Sequence, residues 1–127
     1  MARCCLLLAS VLGFVVAAQT ERARDPQFLT NGIASVIRAL EATRKHEDLI
    51  DLVRDPDRVG PLIMMYYREK ENKWTPPKIR KFGLSASAGS LYSCSIVLDD
   101  FSTKLAAFEK QGTRFLFDWE SWVGYSE

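Results

Sequence analysis

The hydrophobic period changes once along this chain, and that change restricts the fold more than any motif does. Up to Trp74, apolar residues recur at helical spacing; beyond Thr75-Pro76-Pro77 they alternate in steps of two. In the first half, Asp25-Pro26 reads as an N-cap with proline at the first helical position. Leu29, Ile33, Val36, Ile37 and Leu40 then line one helical face, and Gly32 weakens that helix without breaking its pattern. A shorter helical stretch carries Leu49, Ile50, Leu52 and Val53 and stops before Pro56, which cannot continue it. The third helix has the clearest period, with Val59, Leu62, Ile63, Tyr66 and Tyr67 on one stripe. Pro61 sets the start of its regular part near Gly60.

The second half reads as four strands. Residues 78–86 alternate, with Phe82, Leu84 and Ala86 on one face, and Ala88-Gly89-Ser90 forms a turn. Residues 91–98 make the second strand, and Asp99-Asp100 with Ser102 marks the next turn. Residues 104–109 and 114–118 follow, joined by a loop at Lys110-Gln111-Gly112, with Phe115 and Phe117 on one side. Continued alternation would put Asp118 and Glu120 on one exposed strand face, pointing away from Trp119. Short turns favour an antiparallel meander. The expected fold is therefore α+β, with two to three N-terminal helices packed on a four-stranded antiparallel meander in one domain, residues 26–127. The same element order describes the cone-like ketosteroid-isomerase-like and cystatin-like folds, a comparison of element order alone.

The N-terminus reads as an export signal. Residues 1–18 hold 15 apolar residues, with Arg3 as the positive n-region and small residues at Val16-Ala17-Ala18. The apolar run is shorter than the roughly 20 residues a membrane span needs. Cleavage before Gln19 would leave a polar, disordered 19–25 and no stable membrane span, giving a secreted or periplasmic protein. It would also leave Cys94 as the sole cysteine, so no intrachain disulfide is expected and Cys94 reads as a buried small hydrophobe.

Composition excludes several functions. Without residues 1–18 the chain has 16 basic and 16 acidic residues, which is not the signature of a general nucleic-acid binder. The seven glycines form no phosphate loop, and one histidine with one mature cysteine cannot build the usual zinc set. No serine stands in a glycine-flanked elbow. Asp48, Asp51, Asp55 and Asp57 lack the glycine and terminal glutamate of a calcium loop. No metal, cofactor or enzymatic activity is expected.

Two regions could bind something. Arg68, Lys70, Lys73, Lys78, Arg80 and Lys81 surround Trp74, either as a patch for an anionic partner or as a solvated connection. The interleaved Glu69 and Glu71 favour the solvated connection. The aromatic-rich end, Phe115 to Tyr125, is the other region. The candidate ligand-binding residues are Tyr66, Tyr67, Trp74, Asp118 and Trp119.

Asp118-Trp119-Glu120-Ser121 followed by Val123-Gly124-Tyr125 resembles a motif, DWES-x-VGY, of an uncharacterised group of secreted bacterial proteins. The run from Val53 to Val59, with Pro61-Leu62 and Tyr66-Tyr67, is similar to their helical part. The resemblance implies kinship over roughly residues 26–127 and no activity. In that group the motif is internal, with more chain following it, which leaves a complete domain and a truncated copy both open here; a truncated copy would expose a sheet edge or an apolar face. Two function classes stand. One is an exported, non-catalytic binding or docking module for an unknown protein or cell-envelope partner. The alternative is a small ligand-binding or acid/base enzyme of cone-like fold, with Tyr66, Tyr67 and Asp118 at its mouth.

Overall fold

The computed structural model describes residues 26–125. The segments read as a signal (1–18) and a disordered mature N-terminus (19–25) lie outside the described residues. The chain divides into two units, Met1–Asn31 and Gly32–Glu127. In the first, the described part is the start of helix α1 (Pro26–Glu41), where Gln27 Nε2 donates to Asn31 Oδ1 at 3.0 Å.

From Gly32 onward, α1 buries Ile33, Val36, Ile37 and Leu40, the face its spacing predicts. The stretch expected as a second helix differs. A 3-10 turn covers His46–Leu49, and Val53 instead forms a parallel bridge with Phe117. Two backbone hydrogen bonds hold it: Arg54 N–H to the Phe117 carbonyl at 2.9 Å, and Phe117 N–H to the Leu52 carbonyl at 2.8 Å. So few apolar residues cannot repay the nucleation of an α-helix, and strand-like pairing satisfies the same backbone groups. Helix α2 (Pro56–Tyr66) begins four residues ahead of Gly60, because Pro56 suits the first helical position. Pro61 lies inside it and is exposed. There it removes a single hydrogen bond, the one Asp57 C=O would have accepted.

The sheet comprises β1 (Ile79–Ala88), β2 (Leu91–Leu98), β3 (Thr103–Gln111) and β4 (Arg114–Phe117), in the order β1-β2-β3-β4. Every pairing is antiparallel, so helices followed by a four-stranded meander make this an α+β arrangement. Cys94, Ile96, Ala106, Phe108, Phe115 and Phe117 form the buried face. Cys94 opposes Ala106 and Ile96 opposes Lys104, so Lys104 projects from the same side. Leu84 and Ala86 do not share a face as alternation suggests. A bulge between them pairs Leu84 with Cys94 but Ala86 with Ser93, which points the other way.

The segment after Phe117 also departs from the expected alternation. β4 stops at Phe117, and Trp119–Val123 is a short helix, α3. Asp118 caps it, accepting from Ser121 N–H at 3.4 Å, and Gly124 closes it at φ 70°. Asp118 and Glu120 are thus a cap and a first-turn residue, not neighbours on a strand face. Trp119 is fully buried between them.

Candidate functional site

The site is built where the end of α2, the 72–78 connection and α3 meet. Tyr66 and Tyr67 close α2, their rings edge-to-face at 4.9 Å. Tyr66 also meets the Trp119 ring edge-on at 5.3 Å. Trp119 Nε1 donates to the Tyr67 hydroxyl at 3.1 Å, giving a fully buried indole its partner. His46 stacks on the other side of Tyr67, centroids 5.1 Å apart. Burial raises the Tyr67 phenol above its ordinary value, with the Trp119 hydrogen bond pulling the other way.

Trp74 is fixed by a residue that sequence reasoning passed over. Its Nε1 donates to Thr43 Oγ1 at 2.8 Å, and the buried Thr43 hydroxyl donates in turn to the Leu40 carbonyl at 2.6 Å. This chain of bonds ties the connection to the end of α1. Asn72 adds a second tie, its Nδ2 donating to the Tyr66 carbonyl at 3.1 Å.

Four of the five candidates, Tyr66, Tyr67, Trp74 and Trp119, therefore form one aromatic cluster, with Tyr67 6.5 Å from Trp74 and 6.1 Å from Trp119. Asp118 has another role. Besides capping α3, its Oδ2 lies 3.9 Å from Arg54 Nη1. Arg54 Nε is also 2.7 Å from Glu109 Oε2, an ion contact without an aligned N–H bond. Glu120 pairs with Arg58, which also holds Asp55 at 2.8 Å. Arg54 and Arg58 of the 53–59 run thus face Asp118 and Glu120 of the DWES run.

Two cavities flank this cluster. One, about 320 Å³, is lined by Tyr66, Tyr67, Asn72, Trp74, Thr75 and Trp122 among others. The other, about 520 Å³, is lined by Thr75, Pro76, Pro77, Leu98, Lys104 and Trp122, with Lys78, Asp99 and Asp100 also present. Thr75 and Trp122 belong to both, so the two make one groove divided at Trp122. Neither Trp122 nor Lys104 is among the sequence candidates. The Lys104 ammonium sits 3.9 Å from the Trp122 ring centroid, and burial lowers its pKa from the ordinary lysine value. The Asp100 carboxylate accepts from Ser102 Oγ at 2.5 Å and from Ser102 N–H at 3.0 Å, which lowers its pKa. Asp99 faces Arg80 at 3.9 Å.

The remaining features are structural. Cys94 is fully buried opposite Ala106, and burial pushes its thiol up to about 11, the opposite of what a nucleophile needs. Arg68, Lys70, Lys73, Lys78, Arg80 and Lys81 are all exposed; Lys73 and Lys78 also border the two cavities, and the other four are in keeping with a solvated connection. Among the described residues, no cluster of three or more histidine, cysteine or acidic side chains could hold a metal. No helix among them is long and apolar enough to cross a membrane. The chain matches no family model, and comparisons with characterised proteins and with solved structures return no match.

Proposed function

We propose that this chain is an exported, non-catalytic binding module whose ligand or partner sits in the groove on either side of Trp122. The groove itself carries the reading. Its two parts are walled by tyrosine, tryptophan and proline, with lysines at 73, 78 and 104. Rigid aromatic and proline surfaces supply contact area at small entropic cost, and a few charged groups supply orientation. Its supporting side chains are held by the Trp74–Thr43 and Trp119–Tyr67 hydrogen bonds. The acid/base alternative asks for Asp118 aimed into a cavity, and the cap and Arg54 engage that carboxylate instead.

Export rests on residues 1–18 and on the resemblance to a secreted group; N-terminal sequencing of the exported protein should begin at Gln19. The groove is tested with anilinonaphthalene sulfonate, a fluorescent amphipathic probe, on the purified protein at neutral pH. Saturable enhancement that falls on Trp122→Ala, with far-UV dichroism unchanged, is the expected outcome. Enhancement that is absent, or equal in the folded variant, would count against the groove.

A further inference from the structure

Lys104 stands at an inward position that its strand otherwise fills with apolar side chains. Ala106 and Phe108 follow it on the same face, and both are buried. Its ammonium has the Trp122 ring for company, and among the described residues no carboxylate lies within ion-pair distance of it. The carboxylates lining the same cavity are engaged elsewhere, Asp100 by Ser102 and Asp99 by Arg80. A cation partly withdrawn from water and opposed only by a π face is short of a counter-charge. The cavity around it, about 520 Å³, is of the size that holds small molecules. Pro76, Pro77, Leu98 and Trp122 give it apolar walls.

We propose that this cavity binds a small amphipathic monocarboxylate, its carboxylate against Lys104 Nζ and its apolar body against Pro76, Pro77, Leu98 and Trp122. The proposal rests on the groove reading above and adds the ligand's chemical class. Charge limits the choice. The part-buried Lys104 ammonium balances one negative charge; Lys78, the other lysine of this cavity, is exposed and screened by water, and Asp99 and Asp100 in the same cavity oppose a second charge. A neutral ligand would leave the ammonium unmatched. A phosphate monoester, twice charged, would meet the two aspartates.

The test uses ¹⁵N-labelled protein and three probes of one shape: phenylacetate, phenylacetamide and phenyl phosphate. Each is added to about 1 mM, where a site with a Kd of about 1 mM is half filled. Phenylacetate should shift the Trp122 indole N–H and the amides of residues 98–100 saturably, and the other two should bind more weakly. Lys104→Met should weaken phenylacetate about tenfold, the worth of one charge-assisted hydrogen bond. Lys104→Arg, which keeps the charge, should retain binding within a few-fold. Equal binding of the amide, tighter binding of the phosphate, or full binding by a folded Lys104→Met would overturn the proposal. If phenylacetate shifts nothing while anilinonaphthalene sulfonate still binds through Trp122, the ligand class fails and the groove stands. If neither probe binds, both readings fail together.

Discussion

Replacing Gly32 with alanine should destabilise this protein, although helix propensity alone says the reverse. Gly32 lies inside α1, where alanine is favoured over glycine by about 1 kcal/mol. A Cβ at that position would lie 2.6 Å from Cδ2 of Phe115 and in collision with Cε2 of the same ring. Phe115 is only 3% exposed and meets Tyr92 edge-on at 5.6 Å, so the ring cannot simply swing aside. Its relief lies toward a cleft of about 200 Å³ lined by Ser35, Val36, Leu52 and Arg114. Overpacking of this kind costs about 1–3 kcal/mol. Subtracting the propensity gain from the middle of that range leaves a loss of about 1 kcal/mol, or a fall of about 5 °C in Tm. The assay is a thermal melt followed by far-UV circular dichroism. In a Phe115→Ala background the colliding ring atoms are gone, and Gly32→Ala should raise Tm. A rise in Tm in the wild-type background would refute the packing argument.

Three further outcomes follow from individual polar side chains. Burial raises the Cys94 thiol from 9.0 to about 11, so the folded chain keeps a proton that the unfolded chain releases. Stability is therefore unaffected below the lower value and should decline by up to about 3 kcal/mol as pH rises between the two. Urea melts of Cys94→Ala should lack that decline, and parallel pH curves would contradict it. Tyr67→Phe leaves the buried Trp119 indole N–H without its acceptor and should cost about 1–3 kcal/mol in urea melts. Asp118→Ala loses the α3 cap and should cost about 1 kcal/mol, whereas Asp118→Asn keeps a capping oxygen and should cost less.

The helix-then-strand order was legible because long periodic segments carry it. The face of α1 and the three sheet pairings follow from the spacing of Ile33, Val36, Ile37 and Leu40 and from the turns after Ala88, Leu98 and Gln111. Short elements were not legible by period. Phe115, Phe117 and Trp119 continue a two-residue alternation straight through the start of α3, and five residues are too few to display a helical repeat. Its signals were local: Asp118 as a cap with Ser121 three residues on, and Gly124 just past the end. Val53 looked helical beside Leu49 and Leu52 because its partner, Phe117, lies far along the chain.

The site was half legible. Aromatic residues at 66, 67, 74 and 119 stand out by type, and burial brings them together. Asp118 stands out equally, but what its carboxylate does depends on Arg54, which periodicity cannot bring beside it. Lys104 carried a readable sign, a charge two residues before Ala106 and four before Phe108 on one strand face. Trp122 gains its place only through the turn of α3.

The central claim is that Trp122 divides an open binding groove while Trp119 supports it from within. The chain has three tryptophans, so its indole N–H resonances can be followed one by one as anilinonaphthalene sulfonate is added. A saturable shift of the Trp122 signal is expected, with the Trp119 signal, bonded to Tyr67, nearly still. A stationary Trp122 signal, or a Trp119 signal that moves as far, would contradict it.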